Sequence, residues 1–160
     1  VARLMEKYNI DTVFYIPVNW EKYNAERGIK SLTREQVQYI ADEFEIGSHG
    51  VNHFLLTRVP EDIQRQEVEE SYKYWNKLFD VSKFCYPRGY YNQDIKDLVK
   101  ETGYSMARTT RVTEIKPALD PYETATTVHI GVDRKEYGTD WLSYAKQRLD
   151  EALASVDDVE

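Results

Sequence analysis

Two of the three histidines in this sequence, His49 and His53, lie four residues apart. At the start of a turn or helix this spacing puts both imidazoles on one face, where they can share one zinc-class ion. Spacing alone leaves open a solvated pair or a pair bonded to the backbone. Gly47, Ser48 and Gly50 flank the histidines, and such small residues allow close approach of the backbone. This context favours a metal-binding pair.

A second candidate group begins at Pro87, in a run of aromatic residues. Pro87 and Gly89 bracket Arg88 and predict a tight turn, which can present a backbone N–H to a bound ligand. Tyr91 follows the turn, and its ring is suited to stacking on a sugar. Taken alone, the run is better interpreted as an ordinary strand-to-helix loop in which Asn92 caps the next helix.

Apolar periodicity and turn residues divide the chain into alternating strands and helices, an order typical of βα units around a parallel sheet. Thr33 and Gln36 form a capping box, and Gly103 is a typical helix-terminating glycine. Residues 109–124 are predicted to be a loop. The predicted strands are Thr12–Val18, Glu45–Ser48, Lys83–Pro87, a strand beginning at Tyr104–Ala107, and Thr126–Val132. The predicted helices are an opening helix at Val1, then Thr33–Phe44, Pro60–Phe79, Gln93–Thr102 and Asp140–Glu160.

Both candidate groups follow directly after a predicted strand. Ligands of parallel α/β folds bind at the carboxyl ends of the strands, so the two groups are expected to lie at one edge of the sheet. The sequence shows no internal repeat and no low-complexity segment. We therefore predict one domain over residues 1–160, and it is expected to be incomplete because the apolar pattern of the opening helix starts at Val1.

Composition excludes several classes of partner. The formal net charge of -7 argues against binding of nucleic acid, which needs clustered Lys and Arg. No stretch approaches the ~20 apolar residues of a membrane span. Cys85 is the only cysteine, so neither an intrachain disulfide nor a CxxC zinc site is possible, and Cys85 is interpreted as a small buried hydrophobic residue.

In combination, these motifs resemble the polysaccharide deacetylase family, carbohydrate esterase family four. The similarity covers about residues 1–112 and preserves the order of the motifs. The resemblance implies a partial, distorted (β/α) barrel with parallel strands. The segments that carry it are Glu45–His53, Phe84–Asn92, Glu101–Tyr104 and Ala107–Thr110.

The resemblance implies one divalent metal, usually zinc, on two histidines and an aspartate. It places the histidine ligands at His49 and His53, and it assigns the oxyanion N–H and a wall of the sugar site to Pro87, Arg88 and Gly89. Arg88 stands where many members carry tyrosine. The Asp-Asp pair that provides the third ligand and the catalytic base has no counterpart here, because Asp11 lies at the wrong end of its strand and Asp42 lies within a helix.

His129 is the only candidate for the catalytic acid of the family. It occurs earlier in the chain than the family pattern suggests and falls within a predicted strand, so a structural histidine is the favoured interpretation. Both ends of the active site are therefore expected to lie outside these 160 residues.

The resemblance implies hydrolysis of a non-peptide amide bond, with an N-acetylated glycan as the substrate and acetate and an amino sugar as products. Two alternatives remain: a deacylase of another non-peptide amide, and a catalytically inactive glycan-binding domain of the same fold. The sequence does not indicate a location, although members of the family are often exported or associated with the cell envelope.

Overall fold

The computed structural model describes residues 1–112, 119–130 and 134–157. Its centre is a parallel five-stranded sheet in which each strand pairs with the next along the chain, and the described strands form an open sheet rather than a closed barrel. The α/β class and the parallel strands predicted from the sequence are confirmed. The strands are β1 (Val13–Ile16), β2 (Glu45–Ser48), β3 (Lys83–Cys85), β4 (Met106–Val112) and β5 (Thr124–Thr126).

Helices connect most of the strands, as a parallel sheet requires. No described helix is both long enough and apolar enough to cross a membrane. Single 3₁₀ turns occupy Leu56–Arg58, Pro87–Gly89 and Pro121–Glu123. The α-helices are α1 (Ala2–Lys7), α2 (Trp20–Ala25), α3 (Arg34–Glu43), α4 (Glu61–Arg65), α5 (Ser71–Asn76), α6 (Gln93–Thr102) and α7 (Trp141–Asp157), and a π-helical segment, Gln66–Glu70, joins α4 to α5.

The helix ends follow the local signals in the sequence. Thr33 and Gln36 form the reciprocal capping box at the start of α3. Asn92 caps α6 by accepting a hydrogen bond from the backbone of Ile95, and Gly103 ends that helix in the left-handed conformation with φ 112°. The helix predicted over Pro60–Phe79 is observed as the continuous helical stretch from α4 to α5, which includes the π segment.

The prediction for the later part of the chain was wrong in two respects. The predicted loop 109–124 contains the second half of β4, which runs to Val112, whereas residues 113–118 lie outside the described residues. The strand predicted over 126–132 is displaced, because β5 ends at Thr126 and residues 127–130 have no strand partner. Alternating residues favour a strand only where a neighbour can pair with them, and Ile130 is instead exposed. Residues 131–133 lie outside the described residues.

The predicted terminal helix is observed as α7, and residues 158–160 lie outside the described residues. The main core lies between the sheet and the helices around it. Trp75 of α5 is fully buried, stacks between Trp20 and Phe79, and donates a hydrogen bond to the carbonyl of Ile16 at the end of β1. This contact ties the helical stretch to the carboxyl edge of the sheet.

The register of the sheet brings the two candidate groups together. Ser48 at the end of β2 lies opposite Phe84 of β3. The next residues along the two strands, His49 and Cys85, are therefore neighbours at the carboxyl edge, where ligands bind in folds of this class.

Candidate metal centre

His49 and His53 lie together, as the sequence predicts. Their ring centroids are 4.5 Å apart, and the ring planes are nearly perpendicular, at 76°. This separation allows one nitrogen from each ring to approach a common ion. His53 adopts the left-handed conformation with φ 59°, and its ring also packs against Tyr23 of α2 at 4.5 Å. The two rings therefore converge at the end of β2.

The hydrogen bonding of His49 suits a metal ligand. Its Nδ1 lies 2.6 Å from the carbonyl oxygen of Cys85, and because a carbonyl only accepts, Nδ1 must carry the hydrogen. The neutral ring then has an unprotonated Nε2 with its lone pair available. Histidine ligands of metals almost always donate their other ring N–H to a carbonyl or carboxylate in this way.

Electrostatics favour the neutral form of both imidazoles. Burial lowers the pKa of His49 to about 4, and the neighbouring His53 and Arg108 act in the same direction. Burial also lowers the pKa of His53, with smaller contributions from Arg27 and Arg88. A metal ion binds the unprotonated ring, so both side chains are ready to bind without first losing a proton at neutral pH.

Glu67 is a residue of this site that the sequence analysis missed. It lies in the π segment, is fully buried, and accepts hydrogen bonds from the backbone N–H groups of Val51 and Asn52, between the two histidines. It is one of several acidic residues in this stretch of the chain. Its spacing could have distinguished it, since it precedes the buried Ser71 and Trp75 by four and eight residues, which puts it on the inner face of the helix.

The predicted tight turn at Pro87–Gly89 is present. Arg88 and Gly89 both have positive φ, at 57° and 77°. The N–H of Gly89 donates to the carbonyl of Tyr86, and Pro87 has no N–H. The N–H of Arg88 is therefore the backbone donor that this turn can present to a ligand. The Arg88 carbonyl accepts a hydrogen bond from the Thr110 hydroxyl on β4, which anchors the turn to the sheet.

A sequence profile described as polysaccharide deacetylase matches residues 1–107, two thirds of the chain. The chain belongs to the polysaccharide deacetylase family. A search of the curated proteins gives no significant match.

Solved structures agree with this family in fold. The deacetylase PplD from Streptococcus pyogenes, solved in complex with acetate, superposes with a TM-score of 0.61 at 21% identity, over 69% of this chain and 49% of that protein. IcaB from Ammonifex degensii superposes with a TM-score of 0.60 at 16% identity, over 80% of this chain and 60% of that protein. A CE4 family pseudoenzyme from Bacillus anthracis superposes with a TM-score of 0.54 at 16% identity, over 66% of this chain and 36% of that protein. The chain spans less than two thirds of each of these proteins.

The other predicted site residues have different surroundings. Tyr91 stacks on the buried ring of Tyr86, with centroids 4.7 Å apart. Both ring nitrogens of His129 contact the guanidinium of Arg134. Burial lowers the pKa of the ring, and the charge of that guanidinium lowers it further. A guanidinium only donates, so this arrangement favours a neutral His129 that accepts a hydrogen bond at one ring nitrogen.

The thiol of Cys85 is buried, and burial raises its pKa, in agreement with its interpretation as a small hydrophobic residue. Its contribution to the site is the backbone carbonyl that orients His49. Within residues 1–112, 119–130 and 134–157, no group of three or more His, Cys, Asp or Glu side chains is placed to hold a metal ion. The described residues thus provide the two histidines without a carboxylate ligand beside them.

The low pKa of His49 predicts a pH dependence of stability in the metal-free protein. The unfolded ring titrates near 6.5 and the folded ring near 4, so the unfolded state binds more protons between these values. The free energy of unfolding should therefore be highest above pH 6.5 and fall by up to about 3 kcal/mol as the pH drops to about 4. Urea denaturation across this range measures the slope.

His49→Asn is the matched comparison for that measurement, because the asparagine amide nitrogen takes the position of Nδ1, keeps a donor for the Cys85 carbonyl and does not titrate. His53 and His129 also have lowered pKa values and act in the same direction, so the variant isolates the part due to His49. The slope should be clearly shallower in the variant. Identical slopes in the two proteins would refute the titration of His49 as its cause.

Proposed function

We propose that this chain carries the two histidine ligands of a metal-dependent hydrolase that removes N-acetyl groups from a polysaccharide or oligosaccharide. Membership of the polysaccharide deacetylase family supports the reaction class. The observation that carries the metal dependence is the convergence of His49 and His53, with His49 held as the tautomer whose Nε2 is free.

His49 and His53 would hold the ion, which in this family is usually zinc. When bound, a zinc-class ion supplies Lewis-acid polarisation of the amide carbonyl and lowers the pKa of water toward ~7. The two neutral imidazoles suit such an ion in donor type. The third ligand and the base that deprotonates water would be carboxylates, which the described residues do not place beside the histidines.

The turn after β3 would stabilise the charge that develops on the amide oxygen. The N–H of Arg88 is the one the turn presents, and a positioned backbone N–H is a typical oxyanion donor. The positive φ values at Arg88 and Gly89 set the direction of this peptide, and the bond from Thr110 holds it. The backbone can thus serve this role although Arg88 stands where many members have tyrosine.

The cationic side chains around the site also suit its substrate class. Arg27 and Arg88 lie close enough to His53 to lower its pKa, in a chain whose formal net charge is -7. Arg27 stacks over the ring of Tyr23, 3.7 Å from its centroid, and Tyr23 in turn packs against His53. An aromatic ring can pack against the apolar C–H face of a sugar, and guanidinium groups can donate hydrogen bonds to its hydroxyl groups.

Acetate release from an N-acetylated chitooligosaccharide tests the proposal. It should be measured on the 160-residue chain and on longer chains that contain it, with zinc and after chelation. We expect weak or no turnover by the 160 residues and zinc-dependent turnover by a longer chain that also contains an Asp-Asp pair after an apolar strand. His49→Ala in that longer chain should abolish release.

The other outcomes separate the alternatives. Glycan binding without acetate release in the zinc-loaded longer chain would support an inactive glycan-binding domain; a similar fold occurs in a protein described as a CE4 family pseudoenzyme. Release of another acyl group, but not of acetate, would support a different amide substrate. Acetate release that survives both chelation and His49→Ala would refute the metal-dependent mechanism.

A further inference from the structure

Glu67 is a buried carboxylate whose charge has no partner of opposite sign. It is 1% exposed, and no ion pair joins it to a cation within the part of the chain that the structure describes. Its neighbours Glu69 and Glu70 are less buried and pair with Arg65 and Lys73. Burying an unpaired carboxylate is costly unless hydrogen bonds replace its water, so the environment of Glu67 must supply them.

Three N–H donors supply those bonds, and all belong to Val51 and Asn52, which lie between His49 and His53. The N–H of Val51 lies 3.0 Å from Oε2, and the N–H of Asn52 lies 2.9 Å from Oε2 and 3.0 Å from Oε1. The side-chain amide of Asn52 donates to Oε1 at 2.7 Å. Bonds of this kind to an ionised acceptor are the stronger class of hydrogen bond.

The loop is shaped to admit this carboxylate. Gly50 has φ 78°, and a Cβ atom at this position would lie only 2.8 Å from Oε2 of Glu67. A side chain here would therefore push the carboxylate away as well as strain the backbone. The small residue beside His49 thus serves Glu67 rather than the metal site directly.

The opposite side of the loop is bonded to the segment that follows β1. The carbonyls of Gly50 and Val51 accept hydrogen bonds from the N–H groups of Val18 and Asn19, at 3.0 and 2.8 Å. The Asn19 side chain donates to Asn52 Oδ1 at 2.7 Å. The residues between the histidines are therefore held between the helical stretch on one side and the end of β1 on the other.

His53 needs such support because its backbone is in an unfavourable region. A left-handed conformation is costly for a residue with a side chain, and it persists only where the surroundings determine it. We propose that Glu67 is a positioning residue for His49 and His53: it holds the loop between them so that both imidazoles converge, and thereby sets the affinity of the pair for a divalent metal ion. This inference rests on the proposed metal-binding function.

Zinc affinity tests this role, measured by competition with a chromophoric chelator on a longer chain that also contains an Asp-Asp pair after an apolar strand. Glu67→Gln keeps the shape of the side chain, but its NH₂ group faces an N–H of Val51 or Asn52. We expect zinc binding to weaken about 10–100-fold, the usual effect of losing a partner that orients a metal ligand. The matched control is Glu70→Gln, in the same π segment but exposed, and it should bind zinc as the unmodified chain does.

A cobalt spectrum separates positioning from general stability. Co²⁺ in place of zinc reports the geometry of its ligands by visible absorption, which loss of stability alone leaves unchanged in folded protein. Under conditions where urea denaturation shows Glu67→Gln to be folded, we expect an altered Co²⁺ spectrum. An unchanged spectrum together with unchanged zinc affinity would overturn the inference.

A milder variant covers the case in which Glu67→Gln does not fold. Asn52→Ala removes the side-chain arm of the contact with Glu67, together with the hydrogen bond from Asn19, and leaves both backbone donors to Glu67 in place. It should weaken zinc binding about tenfold, and unchanged binding would again overturn the inference. If the unmodified longer chain binds no zinc, the metal assignment itself fails; if its folded Glu67 variant binds zinc as tightly as the unmodified protein does, only the positioning role fails.

Discussion

The double substitution His49→Ala, His53→Ala is expected to abolish retention of zinc. The two rings converge at a centroid distance of 4.5 Å, and His49 presents an unprotonated Nε2. Losing a residue that merely orients a ligand costs about 10–100-fold in metal affinity, so removing both ligands should cost more than about 100-fold. Metal analysis after dialysis measures the zinc content, which should be near-stoichiometric in a longer chain that completes the site.

His129→Ala is the control for that experiment. It removes the third histidine of the sequence, whose ring nitrogens contact Arg134, and it should leave the zinc content unchanged. The comparison separates a specific site from weak binding by any exposed imidazole. Equal zinc in the double variant and the unmodified protein would contradict the ligand assignment.

Gly89→Ala is expected to cause the largest loss of stability among single substitutions around the site. Gly89 has φ 77°, and a Cβ atom there would lie 2.1 Å from the hydroxyl oxygen of Thr110 and 2.5 Å from its backbone nitrogen. The backbone of a strand cannot move aside as a flexible side chain can. The conformational cost of roughly 1–2 kcal/mol and the overpacking cost of roughly 1–3 kcal/mol together predict a loss of about 2–5 kcal/mol.

Gly28→Ala is a closely matched control. Gly28 also has positive φ, 64°, but no atom lies within 4 Å of the Cβ that would be added. Its variant should lose only the conformational part, roughly 1–2 kcal/mol. Urea denaturation of both variants gives the free energies of unfolding, and a Gly89 variant no less stable than the Gly28 variant would rule out the contact with Thr110.

The same substitution should also affect the reaction in a longer, active chain. The turn carries the N–H of Arg88, and displacing Gly89 from Thr110 changes the direction of that peptide. Acetate release by Gly89→Ala should therefore fall even where the protein remains folded. Zinc content should change little, because the histidines lie on a different loop.

Local sequence signals determined much of the framework of this protein. The capping box at Thr33, the cap at Asn92 and the terminating Gly103 depend only on residues within one turn of the chain, so their positions could be predicted without the fold. The strand Glu45–Ser48 and the pairing of His49 with His53 follow similarly from short-range pattern. The alternation of predicted strands and helices along the chain was enough to predict the parallel α/β class.

Features that depend on pairing between distant segments were not accessible in this way. Residues 126–132 alternate as a strand does, yet β5 ends at Thr126, because a strand also needs a neighbour with which to form hydrogen bonds. Similarly, β4 continues to Val112 through a segment predicted to be a loop, since β5 pairs with it. The sequence alone does not specify which segments will be neighbours.

The histidine pair likewise has some features that depend on local sequence and others that depend on distant segments. The types and spacing of His49 and His53 predicted a metal-binding pair, but the tautomer of His49 depends on the Cys85 carbonyl, 36 residues away. The loop that carries both rings depends on Glu67, whose spacing from Ser71 and Trp75 indicates the inner face of the helix but not which loop it contacts. The sequence by itself thus determined the types and the spacing of the side chains at this site. Only the tertiary structure decided how they are oriented, because the atoms that orient them come from distant strands and helices that folding brings together.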